Sequence, residues 1–175
     1  MEFLERDLED IIFKSPLEEL DKRGLDFLNG FLFRQVEIPG HGIADLINYT
    51  RPNVHRNWHS VKIIELKKGC IDESAFFQAL RYAQGIRNVF KSKSLLCEIQ
   101  ITLIGKSIDT RSGFVFTPQL IRQDSFNQIN QIEFMTYSYA IDGLRFNSLE
   151  EFYIDTNGRE LNFKSKSKRI INYGN

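Results

Sequence analysis

The segment from residue 42 to residue 82 constrains the fold more than any other, because it holds two apolar, strand-like runs that each carry a lone central acid. The first reads Gly42-Ile43-Ala44-Asp45-Leu46-Ile47-Asn48-Tyr49, and the second Val61-Lys62-Ile63-Ile64-Glu65-Leu66-Lys67. Alternation and β-branched residues predict strands over 43–49 and 61–67. A strand's period of two sets Ile43, Asp45, Ile47 and Tyr49 on one face of the first, and Val61, Ile63, Glu65 and Lys67 on one face of the second. The polar loop 50–59 is short enough for the two strands to pair, which would bring Asp45 beside Glu65 and Lys67. Two adjacent carboxylates repel, and burying them is costly unless a positive charge is shared between them. Hard oxygen ligands suit Mg²⁺ or Mn²⁺, and the lysine supplies a donor for a metal-activated water. On an exposed face the same residues would be an ordinary cross-strand ion pair of little energetic weight.

Two helices flank these strands. Residues 73–90 place Phe76, Leu80, Ala83 and Phe90 at helical spacing behind Asp72, a good N-cap. Gln78 and Tyr82 lie one turn apart and project from the same side. Residues 2–13 set Leu4, Leu8, Ile11 and Ile12 on one stripe, with Glu2, Glu5, Glu9 and Asp10 around the rest. Acids suit a helix N-terminus, and most of these are a solvated face. Glu5 and Glu9, four residues apart, are the two that could line a site.

Taken together, Asp45, Glu65-Leu66-Lys67 and Gln78-x-x-x-Tyr82 resemble the PD-(D/E)XK nuclease superfamily, with the Q-x-x-x-Y helix of its RecB-like branch. The run Leu4-Glu5-Arg6-Asp7-Leu8-Glu9 is similar to that superfamily's opening helix, so the likeness covers about the first hundred residues. Ala44 stands where the name-giving proline would be. The resemblance implies an α/β, restriction-endonuclease-like core of order αβββαβ, with a mixed central sheet flanked by helices. It also implies Mg²⁺ or Mn²⁺ held by Asp45, Glu65 and the Leu66 carbonyl, with Glu5 reaching the metal through water. Lys67 would position the attacking water, and Gln78 and Tyr82 would support the site and the DNA strand. Many relatives dimerise to cut both strands, so the implied partners are DNA and a second copy of the chain, with no organic cofactor.

With 175 residues, 42% hydrophobic and 26% charged, the chain is expected to form one domain over 1–161 followed by a basic, mobile tail over 162–175. A formal net charge of zero argues against a general nucleic-acid coat protein. It leaves room for a local phosphate-binding surface, because 1–30 is acidic while 81–111 and 164–169 are basic. Cys70 and Cys97 match no metal spacing, and no apolar stretch reaches signal or membrane-span length, which predicts a cytoplasmic protein.

Elsewhere, 16–23 predicts a short second helix, 31–38 a first strand, and 95–104 an alternating strand with one wet face. Further strands are expected over 113–121, 131–139 and 144–154, and the aromatic run Phe134, Tyr137, Tyr139 is read as packing. In the loop 50–59, Arg51, His55, Arg56 and Trp58 form either a surface for a nucleic-acid backbone or base, or a solvated hairpin loop. His55-x-x-x-His59 would suit zinc only on a helix, which Pro52 opposes. The expectation is a metal-dependent endonuclease hydrolysing DNA phosphodiester bonds. The rival is a non-catalytic nucleic-acid- or protein-binding module on the same scaffold.

Overall fold

The computed structural model describes residues 4–52, 57–115, 126–141, 143–153 and 162–165. In chain order these form α1 (Glu5–Lys14), α2 (Leu17–Lys22), β1 (Phe31–Ile38), β2 (Gly42–Thr50), β3 (His59–Leu66), β4 (Cys70–Ile71), α3 (Glu73–Ser92), β5 (Cys97–Gly105), β6 (Ser107–Ile108), β7 (Gln128–Ala140), β8 (Gly143–Tyr153) and β9 (Asn162–Ser165). The fold is mixed α/β. Seven strands make one sheet in the order β1-β2-β3-β5-β7-β8-β9, and β4 pairs with β6 beside it.

The sheet is antiparallel at both flanks and parallel in the middle, where β3, β5 and β7 run together. A parallel neighbour requires a crossover, and α3 supplies it between β3 and β5. Asp72 starts that helix by accepting the Ala75 N–H at 2.9 Å. Ala75, Phe76, Ala79, Tyr82, Ala83 and Ile86 then recur at helical spacing and are buried. They pack on Ile63, Ile99, Ile101 and Leu103 from β3 and β5. On the other side of the sheet, Leu8 and Ile12 of α1 and Leu20 of α2 pack on Leu46, Ile64, Leu66, Ile104 and Met135. Because both faces are covered, β3 is buried at six consecutive positions instead of alternating.

Gly24 joins α2 to this second core. Its φ of +100° is a left-handed conformation, and the adjacent Arg23 carbonyl accepts the Phe146 N–H at 2.7 Å. A Cβ at Gly24 would collide with the Phe146 carbonyl oxygen, which is backbone and cannot rotate away. Gly24→Ala is expected to destabilise the protein by about 3 kcal/mol or more, from strain and collision together. A denaturant midpoint equal to that of wild type would contradict this.

Three sequence expectations change. Residues 113–115 form a single 3₁₀ turn instead of opening a strand, with Phe114 stacked on Phe76 at 5.2 Å; 116–121 lie outside the described residues. Residues 162–165, placed in the tail, pair with β8 as β9, while 166–175 lie outside the described residues. The strand read over 61–67 ends at Leu66, so Lys67 follows it. Among the described residues no helix is long and apolar enough to cross a membrane.

Candidate active site

The acids meet where the sheet forks. β2 and β3 pair from Thr50↔Ser60 to Leu46↔Ile64, after which β3 continues along β5 to Leu66↔Ile104 while β2 stays with β1. Beyond the fork, the Leu66 N–H has no β2 carbonyl to meet, and Asp45 Oδ2 accepts it at 2.9 Å. A side chain thus satisfies a backbone donor that the ladder has released. β1 is irregular at the same place: Gln35 has φ +48° and is skipped between the pairs Arg34↔Leu46 and Val36↔Ala44.

That irregularity corrects the expected parity. Ala44 and Ile47 belong to the same core although they are three residues apart, while Leu46 belongs to the other. Simple alternation over 43–49 therefore breaks at Asp45, which sits in the fork between the two faces.

Glu65 is 1% exposed. Its Oε1 accepts from Lys67 Nζ at 2.9 Å, whereas its Oε2 is buried and has no hydrogen-bond partner. Burial, and then the Asp45 charge, push its carboxyl up from 4.5 to about 7. Asp45 is also raised, chiefly by burial; the Leu66 N–H and Lys67 pull it down, while Glu9 and Glu5 add to the rise. Burial works against the Lys67 ammonium, but its hydrogen bond to Glu65 and the charges of Glu65, Glu5 and Asp45 prevail and raise its pKa. Lys67 is therefore a cation at neutral pH and acts as a donor rather than a base.

Helix α1 brings the other acids. Glu5 is exposed, and its Oε1 accepts the Lys68 N–H at 3.2 Å. Glu9 is buried and engaged with β1: it lies 2.6 Å from Arg34 Nη2, an ion pair outside hydrogen-bond geometry, and it accepts from Gln35 Nε2. Of the two acids on that helix, Glu5 is the one joined to the segment following Glu65.

Gln78 and Tyr82 are bonded to each other rather than to the acids. Gln78 Nε2 donates to the Tyr82 hydroxyl at 2.7 Å, and the buried Tyr82 ring packs so closely over Gly42 that a Cβ there would lie 3.1 Å from it. No hydrogen bond joins either residue to Asp45, Glu65 or Lys67 among the described residues. Their place is under the start of β2, three residues before Asp45. Trp58 donates to Glu98 at 3.4 Å, and His59 Nδ1 lies 2.7 Å from the Tyr49 hydroxyl. His55 and Arg56 lie outside the described residues.

One residue read as packing reaches this site. The Tyr137 hydroxyl donates to the Lys68 carbonyl at 2.6 Å, and the Glu5 charge contributes to raising its pKa, after burial. A local pattern cannot reveal this, because 69 positions separate the partners and only the order β3-β5-β7 brings them together.

Fully ionised, Asp45, Glu65 and Glu5 would outnumber Lys67, and the raised pKa values of Asp45 and Glu65 reflect that crowding together with burial. Two carboxylates with a bare buried oxygen fit a hard divalent cation that completes its shell with a backbone carbonyl and water, as Mg²⁺ does. Among the described residues no group of three or more His, Cys, Asp or Glu side chains is arranged to hold a metal, so any cation here would depend on such additional oxygens. Compared with known protein families, curated proteins and solved structures, the chain gives no match.

Proposed function

We propose that the protein is a Mg²⁺- or Mn²⁺-dependent endonuclease that hydrolyses DNA phosphodiester bonds on a PD-(D/E)XK-like core. The observation that carries this reading is the bare Oε2 of Glu65, buried within the fork that Asp45 occupies. A buried carboxylate oxygen without a partner costs stability, and such groups persist where a function requires them. The element order α1, β1–β3, α3, β5 supports the same reading.

In this reading Asp45, Glu65 and the Leu66 carbonyl would hold the cation, and Glu5 would reach it through water. A bound divalent cation supplies an activated water and neutralises charge developing on the phosphoryl oxygens. Lys67, oriented by Glu65 at 2.9 Å, donates to the attacking water or a phosphoryl oxygen and stabilises the transition state. Gln78 and Tyr82 act indirectly, by fixing the backbone at the start of β2 and hence the placement of Asp45.

The test is cleavage of linear and circular, single- and double-stranded DNA with Mg²⁺, Mn²⁺ or EDTA. Wild type should cut only with metal, and cut circles as well as linear DNA. Asp45→Asn keeps an acceptor for the Leu66 N–H but loses the charge, and should cut at least ~100-fold more slowly. Absence of cutting, together with no rise in melting temperature on adding metal, would favour the non-catalytic binding module.

A further inference from the structure

We propose a second nucleic-acid contact, separate from the acids: an aromatic strip at the β1 edge of the sheet that stacks the unpaired bases of a single strand. Phe31 and Phe33 are 47% and 48% exposed on β1, the outermost strand on that side. Two half-exposed phenyl rings on an edge strand are an aggregation liability unless something covers them. Here the rings belong to a continuous series. Phe33 and Phe31 are 6.4 Å apart between centroids and 26° from parallel, and Phe31 is 6.4 Å from Tyr49. Tyr49 is stacked on His59 at 5.8 Å and 15°, and His59 lies 5.2 Å from Phe90 at the end of α3.

Charge selects the occupant. The Arg51 guanidinium sits 4.9 Å from the Phe31 ring centroid, a cation held on the strip itself. Lys91 and Lys93 follow Phe90, and the acid of β1, Glu37, lies four residues beyond Phe33 towards the other end of the strand. A self-complementary contact with a second copy would oppose like charges, whereas a polyanion meets complementary ones. Bases inside a duplex have no free face to offer, so stacking of this kind selects single strands. The Phe31–Phe33 spacing is close to twice the ~3.4 Å rise per base of a strand. Tyr49 and Asp45 lie four residues apart on β2, about 14 Å, so one strand can span both places. The strip goes beyond the nuclease reading, because it would hold a strand whether or not the acids cut it.

The experiment measures fluorescence anisotropy of labelled oligo-dT and oligo-U of about 20 nucleotides, and of a duplex of equal length, in EDTA. Wild type should bind the single strands at least tenfold more tightly than the duplex, and equal binding of dT and U would identify the bases, not the sugar, as the contact. Phe31→Ala with Phe33→Ala should lose at least tenfold on single strands, while Phe31→Tyr with Phe33→Tyr should retain binding. Single-strand binding with no cleavage under any metal condition would leave the strip standing and remove the nuclease reading. Metal-dependent cleavage with binding unchanged in the alanine pair would do the reverse. A drop in sedimentation mass in the alanine pair, without loss of oligonucleotide binding, would overturn the proposal in favour of a second copy of the chain.

Discussion

Glu65→Gln is expected to abolish metal-dependent cleavage and, at the same time, to make the metal-free protein more stable above neutral pH. The carboxyl has a pKa of about 7 in the folded protein, against 4.5 as its ordinary value. Below pH 4.5 it is protonated in both states and burial costs little. Between pH 4.5 and 7 the unfolded chain releases the proton while the folded chain keeps it, so stability falls as pH rises, and above 7 the full loss is in place. A shift of this size corresponds to about 3 kcal/mol. Asp45 is shifted in the same direction and adds to the effect. Glutamine does not titrate, and its carbonyl oxygen can still accept from Lys67. In EDTA the variant should therefore match wild type near pH 4 and melt about 6–12 °C higher at pH 8. Added Mg²⁺ should raise the melting temperature of wild type and leave that of the variant in place. A wild-type melting temperature that is flat between pH 5 and 8 would remove the electrostatic argument for this site.

Phe134→Ala is the substitution expected to cost the most stability while leaving the chemistry alone. Phe134 is 1% exposed on β7, with its ring 5.6 Å from Phe114 in an edge-on arrangement and 6.5 Å from Phe76 of α3. These rings fill the space between α3 and the parallel strands, and neither neighbour can shift without dragging the helix or the 3₁₀ turn. Removing the ring should cost about 3–5 kcal/mol, part in lost transfer energy and part in the cavity left behind. Melting should fall by about 6–20 °C. The acids are held by β2, β3 and α1, so cleavage per folded molecule at low temperature should stay near wild type. A loss of cleavage with the melting temperature unchanged would place Phe134 in the site and not in the core.

The strands bearing Asp45 and Glu65, the helix bearing Gln78 and Tyr82, and the amphipathic helix bearing Glu5 were all legible in the residue pattern. Short-range forces explain why. Alternation, helical spacing and an Asp N-cap are local signals, and each is present in the run it describes. The face that Asp45 occupies was not legible. Parity predicts a row with Ile47 and Tyr49, but Gln35 of the neighbouring strand takes a left-handed φ and the sheet forks there. The Tyr137–Lys68 hydrogen bond was hidden for a related reason, since it depends on the order of strands and not on any run. The paired phenylalanines of β1 were visible as residues, yet only their edge position exposes them to a ligand.

Local residue pattern suffices to assign the element types and to bring one acid from each of two neighbouring strands together. Each of these follows from contacts within a few residues or between adjacent strands. Long-range packing is what leaves Glu65 one buried oxygen without a partner, keeps Lys67 charged beside it, and sets Tyr82, bonded to Gln78, against Gly42 of β2 with no hydrogen bond to the acids among the described residues. Burial and electrostatics depend on everything packed around a group, and α1, β5 and β7, which enclose the fork, come from distant parts of the chain.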